Sequence, residues 1–78
     1  MDAIEKEFLK FVGMECDDPY QFICDNYYDY ISQLSKEDKK YQPVIDMLNI
    51  GINNCSIWNN SMLNKHFVQV YRTIQHCK

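Results

Sequence analysis

Apolar side chains recur at helical spacing along the stretch PYQFICDNYYDYISQL, residues 19–34, and this periodicity restricts what the chain can build. At about 100° per residue, Tyr20, Ile23, Tyr27, Tyr30, Ile31 and Leu34 gather on one face of a helix. Gln21, Asp25, Tyr28, Asp29 and Ser32 gather on the other. One side reads as a core stripe, the other as an acidic surface with a large aromatic ring set in it. Asp18 is placed to cap this helix and Pro19 takes the first helical position, where a missing N–H costs nothing. Gln21 completes a capping box.

The remaining stretches supply partners for that stripe. A first helix is expected from about Ala3 to Val12, with Ile4, Phe8, Phe11 and Val12 facing the core. Asp2 and Glu5 form its capping box, and Gly13 sits where a left-handed terminal residue is wanted. The short linker Met14–Asp17 favours an antiparallel neighbour. SKEDKK, from Ser35, reads as a solvated turn or short helix with Asp38 in a box position. Pro43 pushes Gln42 out of helical geometry, so a break is expected near Tyr41. A helix then runs from Pro43 to about Ile52, burying Val44, Ile45, Leu48 and Ile52, and Gly51 with Asn53-Asn54 weakens its end. Cys55–Asn60 reads equally as the opening of the last helix or as a loop anchored by Trp58.

From Ser61 onward, Leu63, Phe67, Val70, Ile74 and Cys77 alternate steps of four and three, an a/d seam. FVQVYRTI also alternates as a strand would, but the heptad register holds over fifteen residues and the alternation over about eight. Residues 67–74 are therefore expected to be helix. The fold class is all-α, a small bundle of four to five short antiparallel helices in one domain over residues 1–78. A chain of this length buries only about 60–65% of its unfolded surface. The seam Leu63, Phe67, Val70 and Ile74 is accordingly expected to gain by pairing with a second copy in a homodimer.

Charge is distributed unevenly. Residues 1–38 hold ten acids against three bases, and residues 39–78 one acid against five bases, giving the net −3. A negative pole of this kind suits a basic protein partner and argues against direct nucleic-acid binding, which wants a clustered basic stripe. No run approaches the roughly 18 apolar residues of a membrane span. The acidic, amphipathic start MDAIEKEF lacks a signal-peptide pattern, so a cytoplasmic location is expected. Cys16, Cys24, Cys55 and Cys77 include no CxxC pair, which excludes the zinc and thioredoxin patterns and favours buried free thiols.

Chemistry is sparse. Both glycines are isolated, so there is no phosphate-cradling loop. His66 and His76 are ten residues apart, outside the spacing that puts two imidazoles on one metal. Asp25 and Asp29 share a face, but an exposed one, where carboxylates lack the recess that general acid–base work requires. No catalytic, cofactor or metal site is expected. What remains is a partner-binding face of Asp17, Asp18, Phe22, Asp25, Tyr28 and Asp29, in which the aromatics anchor and the acids steer. In overall character (short, acidic, helical and without catalytic motifs) the chain resembles bacterial immunity proteins that neutralise a toxin. It is similar in the same way to small phage or viral inhibitors of host and defence proteins. That likeness implies an inhibitor of a basic partner such as a nuclease toxin; the alternative is a structural or adaptor module that homodimerises through its C-terminal helix.

Overall fold

The computed structural model describes residues 2–37 and 39–78, without the side chain of Asp2. Among the described residues, α1 (Asp2–Gly13), α2 (Pro19–Ser35), a 3-10 turn (Lys39–Tyr41), α3 (Gln42–Asn54) and α4 (Asn60–His76) follow one another, with no strand. The protein is thus an all-α bundle. The cap expected of the Asp2 side chain and the box expected of Asp38 lie outside the described residues.

The helix boundaries follow from local hydrogen bonding. Asp18 Oδ1 accepts from the Gln21 N–H at 3.0 Å and so caps α2, as its position predicts. Asn59 does the same for α4, accepting from the Met62 N–H at 2.8 Å. Between α3 and α4 the N–H groups of Ile57 and Trp58 both bond to the Asn54 carbonyl, which makes Cys55–Trp58 a tight turn rather than the opening of a helix. The break near Tyr41 is present, with φ −97° and ψ 9°. Gln42 is nevertheless the first residue of α3, because Pro43 falls in the first turn, where its missing N–H is not needed. Two glycine expectations fail. Gly13 has no positive φ, and the Met14 N–H continues the ladder to the Lys10 carbonyl at 3.2 Å. Gly51 lies buried inside α3, which runs on to Asn54.

The helices run antiparallel where their ends can be matched. The Lys78 ammonium meets Glu5 at 2.5 Å, while Asn64 near the start of α4 bonds to Cys16 just beyond α1. α1 therefore lies antiparallel along α4, and α4 rather than α2 is its closest neighbour. α2 is also an antiparallel neighbour of α1, as the short linker favours: Ile4 borders a cleft with Gln33 and Leu34 while Phe11 meets Phe22, and the two helices meet through rings. Phe8 contacts Phe22, Tyr30 and Phe67 with centroids 5.5, 5.5 and 5.8 Å away, and Phe11 contacts Phe22 and Phe67 at 5.0 Å each. These offset and edge-on contacts fill the centre and hold the α1 and α2 backbones apart.

That cluster also turns α2. Its buried line is Pro19, Ile23, Tyr30 and Leu34, and half-buried Phe22 and Asn26 extend it toward α1. The stripe read from the sequence was centred too far the other way, so Tyr20 is 45% exposed instead of in the core. Val12 is likewise exposed, since α1 packs through Ile4, Phe8 and Phe11.

The seam of α4 corrects a larger expectation. Leu63, Phe67, Val70 and Ile74 are at most 1% exposed, covered by α1 on one flank and α3 on the other. Residues 67–74 are helix, and their seam is consumed by the chain's own core, so it offers nothing to a second copy. The Cα radius of gyration, 11.4 Å, equals the value of about 11.5 Å expected for a folded chain of this length.

One buried polar side chain joins these helices. Asn64, 3% exposed, accepts from the Cys16 N–H at 2.8 Å and donates to the carbonyls of Cys16 at 3.2 Å and Asn60 at 2.8 Å. Removing it strands both backbone groups of Cys16 in a half-buried linker. Asn64→Ala is expected to cost about 2–4 kcal/mol and to lower Tm by about 10 °C or more. Asn60→Ala, which loses only an exposed 3.1 Å bond to the Asp17 carbonyl, is expected to cost about 1 kcal/mol or less. Thermal unfolding of the two variants side by side checks the difference.

Candidate binding face

Three constraints fix how α2 presents its outer side. Asn64 and Asn60 hold Cys16 and Asp17 against α4, Asp18 caps the first turn, and the Tyr27 hydroxyl donates to Asn49 Oδ1 on α3. Tyr27 is half-buried, and the ring of Tyr28 stands edge-on against it at 5.3 Å and 73°. Tyr28 is 81% exposed, the most exposed of the large hydrophobic side chains on the described residues. Asp25, one turn earlier, accepts from Gln21 Nε2 at 2.6 Å. Asp29 lies further round toward α1, at the rim of a shallow cleft of about 170 Å³ that also touches Glu7, Asn26 and Gln33. The Tyr30 hydroxyl, at the inner wall of that cleft, is buried without a hydrogen-bond partner.

Of the six residues expected on the face, Asp25, Tyr28 and Asp29 are brought together on exposed α2. Asp17 and Asp18 are exposed at its N-terminal end, with the Asp18 carboxylate already committed to the cap. Phe22 departs from the expectation. It turns inward between Phe8, Phe11 and Phe67, and Lys10 Nζ covers its outer side 4.4 Å from the ring centroid. A cation seated on a ring in this way is favourable and leaves Phe22 no free surface with which to anchor a partner.

All four cysteines are free, but only Cys55 is buried; Cys16 and Cys77 are half-buried and Cys24 is exposed. Burial pushes the Cys55 thiol above its ordinary pKa, neighbouring Cys24 adds to the rise, and Cys55 Sγ donates to the Ile52 carbonyl at 3.2 Å. Cys24 also raises the phenol of Tyr20 beside it. Among the described residues no group of three or more His, Cys, Asp or Glu side chains is placed to hold a metal ion. No helix among them is long and apolar enough to cross a membrane.

The sequence reading missed a second feature, where α4 meets the turn that follows α3. His66 Nε2 donates to the Met47 carbonyl at 2.8 Å, an approach that brings its Cδ2 to 3.3 Å from where a Cβ on Gly51 would be. Gly51 is thus the seat of an imidazole, and Trp58 packs on the outer side of that ring at 5.2 Å. Trp58, Met62, Lys65, His66 and Gln69 line a groove of about 320 Å³ there. The only trace in the sequence is a glycine inside an otherwise good amphipathic helix. No protein-family model, curated protein or solved structure matches this chain.

Neighbouring tyrosines with opposite roles give a direct check of the face. Tyr27→Ala is expected to cost about 2–3 kcal/mol, less than the roughly 3–5 of a fully buried aromatic because the ring is half-exposed. Tyr28→Ala is expected to cost about 1 kcal/mol or less, the edge-on contact alone. Denaturant unfolding of both variants measures the pair. Titration with an aromatic disulfide reagent should modify Cys24 first and Cys55 last, because reaction requires an exposed thiolate.

Proposed function

We propose that this chain is a small acidic inhibitor of the immunity type. It blocks a basic partner, such as a nuclease toxin in the cytoplasm, by laying the outer face of α2 over that partner's nucleic-acid-binding surface. The observation that carries the reading is Tyr28, an aromatic ring almost fully in water yet braced on Tyr27, which is itself tied to α3 through Asn49. A ring held in place before binding loses little freedom on docking, which is what makes rigid aromatics effective interface anchors.

The charge around the ring supports the same partner. No Lys or Arg occurs between Pro19 and Ser35, and Asp25 and Asp29 lie beside Tyr28 on its α1 side. Carboxylates presented on a regular helix offer a basic cleft the same sign of charge as a phosphate backbone, and they accelerate encounter. An interface of standard size takes about 800 Å² per partner, about a sixth of this molecule's 4885 Å² surface. Inhibition by occlusion needs no catalytic group, cofactor or metal on the inhibitor. A phage or viral inhibitor of a host or defence protein would use the surface in the same way.

Capture from the native host identifies the basic protein, and association kinetics with it test the face. Asp25→Asn with Asp29→Asn is expected to slow association and flatten its salt dependence, with dissociation little changed. Tyr28→Ala is expected to speed dissociation about thirtyfold, equivalent to about 2 kcal/mol. Unchanged kinetics in both variants would overturn the assignment of this face.

A further inference from the structure

α4 carries the electrostatic opposite of α2. From Asn60 to His76 it has no acidic residue, and Lys65, Gln69, Arg72 and His76 follow one another along its outer side. The groove at the N-terminal half of this side is lined by the Trp58 indole, Met62 and the outer side of the His66 ring, with Lys65 and Gln69 at its lip. The Cδ2–Nε2 edge of His66 faces α3, so the opposite vertex, Nδ1, is directed away from it. With Nε2 committed to the Met47 carbonyl, Nδ1 is left to meet a hydroxyl, which can both donate and accept. At about 320 Å³ the groove lies at the small end of the range for ligand pockets, suited to one ring rather than to an extended molecule. Apolar walls, a cation at the lip and a ring nitrogen open to a hydrogen bond together select an aromatic hydroxyl with carboxylates beside it.

The chain displays that group on its own surface. We propose that the protein associates with itself head to tail, the Tyr28 ring of one copy entering the Trp58–Met62–Lys65–His66 groove of the next. Asp25 and Asp29 then lie opposite Lys65 and Arg72, and Lys65 is placed to sit over the incoming ring. The outer faces of α2 and α4 are the sides turned away from their shared core, so one copy cannot satisfy its own groove. A head-to-tail contact between two different patches leaves one groove and one Tyr28 free at the ends of every open assembly, so the association extends past two copies, as a chain or, where the rotation closes, a ring. It uses neither the buried α4 seam nor any basic partner, and it stands whether or not the inhibitor reading does. Where both operate they compete, because each occupies Tyr28.

Sedimentation velocity from about 10 µM to about 1 mM protein tests this, with the chain's only tryptophan, Trp58, reporting on the groove through its emission. At about 10 mM salt, where the screening length is about 30 Å, the average mass should rise past two copies with concentration and the Trp58 emission should shift with it. At about 150 mM, with screening at about 8 Å, the assemblies should shrink. Tyr28→Ala spoils the ring and Lys65→Glu spoils the groove; both sites are exposed, and circular dichroism verifies that each variant folds. Each alone should weaken association about tenfold or more. Mixed together they retain one good groove and one good ring, so the mixture should form a pair of one copy each and stop there. A monomer at every concentration in low salt overturns the proposal. So does wild-type growth that ends at two copies, association unaffected by either variant, or a mixture that fails to pair. Arg72→Glu gives a second groove-side variant with the same expectation as Lys65→Glu.

Discussion

The three hydrogen bonds of Asn64 hold together the part of this bundle on which the rest depends. The linker between α1 and α2 leaves its helix without a left-handed turn, and nothing in its own sequence fixes its path. Asn64 supplies that path by meeting both the N–H and the carbonyl of Cys16, as a neighbouring strand would. A neutral hydrogen bond is worth only about 1 kcal/mol net, but a buried amide that loses its partner costs more, so the clamp is strongly one-sided. Two residues downstream, Asp18 caps α2. The clamp therefore decides where α2 starts, and with it which residues α2 turns outward.

The rotation of α2 is settled by the ring cluster. Phe8, Phe11, Phe22, Tyr30 and Phe67 interlock at 5.0–6.1 Å, and it is through these rings that α1 and α2 touch. Phe22 is drawn inward although its position on the helical wheel borders the polar side, because a long planar side chain reaches the cluster from the flank. Tyr20 is turned out by the same rotation. The outer face is left to Asp25, Tyr28 and Asp29, a smaller and more acidic set than the periodicity alone suggests.

Periodicity carried the parts of the fold that depend on one helix at a time. The seam of α4, the capping of α2 by Asp18, the break at Tyr41 and the burial of Val44 and Leu48 are all consequences of spacing within a single element. What spacing could not show was which helix covers which. The α4 seam looked long enough to require a second copy only because a wheel does not reveal that α1 lies along it. Spacing gives no sign of the role of Asn64, and it reads Gly51 as weakening a helix end, since the groups that give them their roles lie 48 residues away in the linker and on His66 of another helix. The candidate face was legible to the same degree. Asp25, Tyr28 and Asp29 follow from the phase of α2, whereas the withdrawal of Phe22 follows from Lys10 and α1.

The use of the α4 seam inside the monomer changes what the surface is free to do. A chain this small that needed a partner to complete its core would have to keep an apolar face for it, and its affinity for that partner would be part of its folding stability. Here Leu63, Phe67, Val70 and Ile74 are buried without help, so the exposed groups are not required for the core. Tyr28 and Lys65 contribute little to the fold and Met62 remains half in water, yet Tyr28 is braced by a residue that does matter, Tyr27. Binding at such a site can change by single substitutions without unfolding the domain. The separation of acids onto α2 and bases onto α4 then acts as a property of the surface alone: it sets what approaches each face and how fast, and it fades with salt while the core does not.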